Sequence, residues 1–198
     1  MTWYEIKVAT LQKMVSAEGN TIPSDDATNE YVAAMPQAAN EALQLLCTAN
    51  RFLRQYVDVE AQASENGFDY FYDMESQPDF YELGDIEVYE VADERIRSVS
   101  GISVRAGQYI SFPAAGTYRV FYNAWPPTIT EKTPDKYTLP LASDVAVLLP
   151  LYMASQLYKD DDVSIADIYR NEFEVARAEL RNRTYGTRTD RFVSKSGW

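Results

Sequence analysis

The sequence predicts an α+β protein: a small bundle of about four helices carrying an inserted antiparallel β-sandwich or barrel-like lobe. Apolar residues recur at helical spacing near both ends of the chain and at a spacing of two through its middle. The middle is also set apart by charge, with thirteen acidic residues and no Lys or Arg between Gln55 and Glu94. Glycines at 84, 101, 107 and 116 punctuate the same stretch. The expected boundaries are residues 1–50 for the first half of the bundle, 51–127 for the β lobe, 128–183 for the second half and 184–198 for an extended tail.

Thr2 can cap a first helix running to about Val15, with Trp3, Ile6, Leu11 and Met14 on one side and a break at Gly19-Asn20. A linker through Pro23-Ser24-Asp25-Asp26 leads to a second helix. Its stripe is Tyr31, Met35, Ala38, Ala42, Leu45 and Leu46, with Asn40, Glu41 and Gln44 largely opposite. Pro36 lies inside that pattern and predicts a kink or restart around Met35, because proline offers no N–H to the preceding turn.

From Arg51 the period becomes two. Strands are expected at Phe52–Glu60, Phe68–Tyr72, Ile86–Val91, Ile96–Val99, Ile102–Val104, Tyr109–Phe112 and Thr117–Trp125, with Gly84-Asp85 as one of the breaks between them. Trp125-Pro126-Pro127 closes the lobe, and Thr128 to Leu139 reads as an extended return linker. Helical sequence resumes near Ser143 with Val145, Leu148, Leu149, Tyr152, Met153, Leu157 and Tyr158, and Pro150 is expected to interrupt it at an internal position. Lys159 to Asp162 makes a turn whose acids suit the N-terminus of the last helix. That helix carries Ile165, Ile168, Tyr169, Phe173, Ala176 and Leu180 on one face and Arg170, Glu174, Arg177 and Arg181 on the other.

Composition excludes several classes of function. At 198 residues and 46% apolar, the chain can bury one ample core, or a core plus a modest insert. There is no histidine, which removes the usual general base, the commonest metal ligand and every histidine-dependent triad. The single cysteine, Cys47, falls among Leu45, Leu46 and Ala49 and is expected to be a small buried filler. No Gly-rich phosphate loop is present. Asp160, Asp161, Asp162 and Asp167 lack the spaced oxygens and the glycine of a calcium loop, so a helix cap and solvated turn explains them. No catalytic residue, cofactor or metal is therefore expected, and the chain is not expected to be an enzyme. The opening residues are too polar for a signal peptide, and no apolar run is long enough to span a bilayer, so a soluble product of a cytoplasm is expected.

The net charge is −12, from 18 basic and 30 acidic residues. Such a field opposes nucleic-acid phosphates and anionic membrane alike. Its sign reverses at the end. Arg181, Arg183, Arg188, Arg191 and Lys195 against Asp190 give the last residues +4, while residues 1–180, with thirteen basic and twenty-nine acidic, carry −16. A tail opposite in sign to its body can dock on a neighbouring copy or an acidic partner.

The helical segments bear a specific likeness. Tyr31-Val-Ala-Ala-Met-Pro-Gln-Ala-Ala-Asn-Glu-Ala-Leu-Gln-Leu-Leu resembles the second helix of head–tail connector proteins of tailed bacteriophages. Leu149-Pro-Leu-Tyr-Met-Ala-Ser-Gln-Leu-Tyr-Lys-Asp-Asp-Asp, with Ile168-Tyr-Arg-Asn-Glu-Phe-Glu-Val-Ala-Arg-Ala-Glu-Leu, is similar to their closing helix pair. The resemblance implies a virion structural protein made in the host cytoplasm, a ring of usually twelve copies that adapts the portal to a neck, stopper or tail-completion protein. It implies that the genome DNA passes through without specific binding, as an acidic wall would allow. The resemblance also implies a tail that docks on the portal or a neighbouring subunit, which marks Arg181, Arg183, Tyr185, Arg188, Arg191, Phe192, Lys195 and Trp198 as partner-binding candidates.

Compact members of that family have only short strands or a loop where this chain has Arg51 to Pro127, so what the β lobe contacts stays open. An alternative reading makes the lobe a carbohydrate- or host-surface-binding module through Tyr70, Phe71, Tyr72, Tyr81, Tyr89, Tyr109, Tyr118 and Tyr122. Sandwich core and subunit contact is the plainer use of those rings.

Overall fold

A computed structural model describes residues 1–14, 19–48, 53–62, 70–92 and 95–184, the side chains of 181–184 excepted. The chain folds into two compact units, Met1–Arg51 with Thr128–Trp198, and Phe52–Pro127.

In the helical unit, helix α1 spans Trp3–Lys13 and begins with a reciprocal capping box. The Glu5 amide donates to Thr2 Oγ1 at 3.3 Å and the Thr2 amide to Glu5 Oε2 at 2.8 Å, which satisfies two amides that a helix start leaves unpaired. Two more of these, on Trp3 and Tyr4, donate to the carbonyls of Tyr137 (2.8 Å) and Asp135 (3.0 Å) in the return segment. That segment is therefore more than a linker, and its Ile129 and Leu139 are fully buried.

Helix α2 spans Asp26–Cys47, capped by Asp25, which accepts from the Thr28 amide at 2.8 Å. It runs through Pro36 without the expected restart. Met35, Ala38 and Ala39 beside the proline are all buried, and that packing offsets a penalty of about 3 kcal/mol for proline inside a helix. Asn40, expected on the solvent face, instead brackets Ile129. Its Nδ2 donates to the Ile129 carbonyl at 2.8 Å and its Oδ1 accepts the Ile129 amide at 2.7 Å.

The second half of the unit comprises the single turn α3 (Ser143–Ala146), α4 (Leu149–Leu157) and α5 (Val163–Thr184). Pro150 sits in the first turn of α4, where a missing N–H costs nothing, so it starts a helix and does not interrupt one. Asp162 caps α5 by accepting from the amides of Ser164 (2.9 Å) and Ile165 (3.2 Å). One apolar core joins these elements: Trp3, Ile6 and Leu11 of α1, Met35, Ala39, Leu43 and Leu46 of α2, Leu149 and Met153 of α4, and Phe173 and Leu180 of α5. Segments about a hundred residues apart in sequence thus share a single interior.

The β unit holds β1 (Leu53–Ala61), β2 (Tyr70–Asp73), β3 (Phe80–Ala92), β4 (Arg95–Ser98), β5 (Ser103–Arg105), β6 (Tyr109–Phe112) and β7 (Gly116–Ala124). They form two antiparallel sheets ordered β1-β7-β3-β4 and β2-β6-β5, and no closed barrel forms among the described residues. Val59, Leu83, Val88, Ile110, Phe112, Tyr118 and Val120 from both sheets meet in one core. Tyr118 reaches back to the Ala114 carbonyl at 3.1 Å, so its hydroxyl is satisfied while its ring stacks on Phe112.

Gly84-Asp85 is a bulge inside the thirteen-residue β3 and not a break between strands. The pairing of β3 with β7 shifts register on either side of Glu82. Arg54 fills the irregularity by donating to the carbonyls of Leu83 (3.1 Å) and Asp85 (2.8 Å) and to Asn123 Oδ1 (3.2 Å).

Candidate functional site

The partner-binding candidates at the end of the chain divide at Thr184. Arg181 and Arg183 belong to the last turn of α5. Tyr185, Arg188, Arg191, Phe192, Lys195 and Trp198 lie outside the described residues.

Helix α5 presents two apolar faces. Ala166, Phe173 and Leu180, at intervals of seven, fill the core, and Phe173 packs edge-on against Tyr152 with ring centroids 5.1 Å apart. Ile168 and Val175, also seven apart, are 56% and 63% exposed. Ile168 was expected in the core stripe. The interior face is instead completed by the row expected in solvent: the Arg170 guanidinium lies 4.9 Å from the Tyr152 ring centre and 5.8 Å from that of Phe173. Glu174 holds Arg170 at 2.8 Å and Arg177 at 3.6 Å, so this charged row is half-buried and internally paired. Arginine stems cover apolar surface, and periodicity alone does not register that.

The turn before α5 is tied down locally. Asp161 accepts from the Tyr31 hydroxyl, a bond that pushes that phenol up to about 12. With Asp162 committed to capping, two of the three consecutive aspartates have structural employment, and no group of three or more His, Cys, Asp or Glu converges on a metal position among the described residues. Cys47 is buried, and desolvation pushes its thiol up to about 11, which opposes thiolate chemistry.

In the β unit the aromatics sort by strand parity. Tyr118 and Tyr122 are buried, and Tyr70 and Tyr72 pack against the same core. Tyr122 also donates to Asp79 at 2.8 Å, and burial followed by this bond pushes its phenol up to about 12. Tyr81 lies against Trp125, with centroids 4.3 Å apart. Rings also occupy the sheet surfaces turned away from the core. On the four-stranded sheet Tyr56, Phe121 and Tyr89 form a row with centroid spacings of 5.6 and 6.0 Å. Arg119 lies 4.2 Å over Tyr56 and holds Asp58 with two bonds of 2.7 and 2.8 Å. On the three-stranded sheet Phe71 and Tyr109 are exposed. The Tyr-rich composition signalled this supply of rings, but only the register separates core from surface.

No protein-family model matches the chain, and no curated protein resembles it at a significant level. No helix among the described residues is long and apolar enough to cross a membrane.

Proposed function

We propose that the chain is a structural component of a tailed-phage virion, a head–tail connector that assembles as a ring of about twelve copies between the portal and the neck or tail. The observation that carries this reading is the second apolar face of α5. A helix already seated in the core through Phe173 and Leu180 gains nothing in the monomer from exposing Ile168 and Val175. A neighbouring copy is the natural cover for such a face in a cyclic assembly. The charge distribution supports the same reading. The β unit carries five basic and thirteen acidic residues, hence −8, and the rest of the chain, with thirteen and seventeen, −4. Walls of that sign let DNA pass without adhering. The basic residues from Arg181 to Lys195 then serve portal attachment, where the acidic body would be a poor anchor.

Electron microscopy of the protein mixed with portal rings tests the proposal. Stacked, closed rings are the expected result. The double substitution Ile168→Glu with Val175→Glu is expected to leave the monomer folded, by circular dichroism, and to abolish ring formation. Rings formed equally well by this variant would remove α5 as the subunit contact, and an absence of any ring with the native chain would remove the connector reading.

A further inference from the structure

The three-stranded sheet carries a cleft, in a different unit from the α5 face. It encloses about 220 Å³ and is lined by Phe71, Arg105, Tyr109, Ile110 and Ser111. Its volume is below the several hundred Å³ typical of drug-sized ligands, so it suits a single ring-sized group. The register explains its make-up. Phe71 stands opposite Ser111, Ser111 opposite Ser103, and Tyr109 opposite Arg105, so these side chains share the sheet face turned away from the core.

Each lining group offers a different kind of contact. Phe71 and Tyr109, 55% and 37% exposed, present apolar ring surface to solvent. Ser111 supplies a hydroxyl that can donate and accept. Arg105 makes no ion pair among the described residues, although its unit carries −8 and two of its four other arginines, Arg54 and Arg119, are engaged. Asp73, which stands opposite Tyr109 on the other neighbouring strand, accepts the Glu75 amide through Oδ1 at 3.0 Å. The turn that joins the two strands holds the pair in place. Ala106 (φ 50°) and Gly107 (φ 73°) are both left-handed, and the Gln108 amide closes on the Arg105 carbonyl at 3.2 Å. A non-glycine residue at positive φ is strain held where Arg105 and Tyr109 must stand side by side.

We propose that this cleft binds a carboxylate-bearing pyranose, an acidic sugar of the uronic type. The ring lies on Phe71 and Tyr109, Ser111 meets a hydroxyl, and the Arg105 fork takes the carboxylate. A bare anion leaves the aromatic surface unused, and a neutral sugar leaves the guanidinium unpaired. The inference stands whether or not the chain forms rings.

The test is an NMR titration of the full-length protein, following amide shifts of residues 103–112, with glucuronate, glucose and acetate as probes. Single-sugar sites of this size bind in the millimolar range, about 4 kcal/mol, so concentrations to roughly 10 mM are needed. Glucuronate is expected to shift these amides with an affinity at least about tenfold above both glucose and acetate, and Arg105→Gln is expected to remove that advantage, about the worth of one charged hydrogen-bond pair. Phe71→Ala is expected to weaken glucuronate while leaving acetate unchanged. No shift with glucuronate, equal affinity for acetate, equal affinity for glucose, or an unchanged response in Arg105→Gln would each overturn the proposal.

Discussion

Gly84 shows how one residue can hold a sheet irregularity together. Its φ of +58° is a conformation that costs an L-residue about 1–2 kcal/mol, and a Cβ added there would stand 2.6 Å from Asn123 Nδ2. Asn123 is buried, donates to Glu82 at 3.0 Å and accepts from Arg54, so it has nowhere to retreat. Gly84→Ala is therefore expected to destabilise the protein by about 2 kcal/mol, read as a lower thermal midpoint of the β signal in circular dichroism. A comparable economy operates at the end of α1. Its last carbonyls have no partners within the helix, and the hydroxyls of Tyr169 and Tyr158 supply them, Tyr169 donating to Lys13 at 2.6 Å and Tyr158 to Met14 at 2.8 Å. The two rings stack with planes 13° apart. Tyr169→Phe keeps the ring and loses the donor, so a loss of about 1 kcal/mol by urea denaturation is expected.

The helices depend on charged caps, and this makes them pH-sensitive in a defined direction. The backbone hydrogen bonds that Glu5 and Asp25 accept hold both carboxyls below their ordinary values of 4.5 and 3.8. Folded values below unfolded ones mean that the contribution is fully present at neutral pH, begins to fall as pH drops past 4.5 and 3.8, and is gone only below the lowered folded values. Asp58, held down by the Arg119 hydrogen bonds, adds the same sign in the β unit. Acid titration of the thermal midpoint is expected to slope downward below pH 4.5, and Thr2→Ala combined with Glu5→Ala is expected to flatten the first part of that slope. Of these caps only Thr2 was read from the sequence, whereas Asp25 read as part of the linker before α2. Each of the seven strands was legible in part, but only the second half of β3 was expected, and β4 is exposed along its whole length, so burial of one face does not account for every one. What escaped was tertiary in origin. Gly84-Asp85 reads as a turn until Arg54 is seen filling the bulge, Asn40 reads as surface until Ile129 is seen beside it, and Ile168 reads as core until Arg170 takes the place against Tyr152 and Phe173. Of the candidate sites, the charge reversal and the supply of rings were visible, and neither a charge pattern nor a composition names a partner atom.

Taken together, the two units carry like charge, and this bears on how the molecule meets DNA. Electrostatic attraction supplies essentially all of non-specific DNA binding, because each neutralised phosphate releases condensed counterions. Five cations among the last eighteen residues could provide it, but they face a body of −16. The body's own acids compete for those cations at no cost in translational freedom, so DNA is the weaker partner. A dissociation constant weaker than about 100 μM for a duplex at physiological salt is expected, by fluorescence anisotropy. Ending the chain after Thr184 removes Arg188, Arg191, Lys195 and Asp190, which lowers the net charge from −12 to −14. Any residual binding at low salt is expected to vanish in that variant, while attachment to portal rings weakens and the circular dichroism of α1 to α5 is unchanged. A submicromolar DNA complex with the native chain would contradict the proposed channel wall, since a surface that holds DNA tightly would retain any genome passing along it.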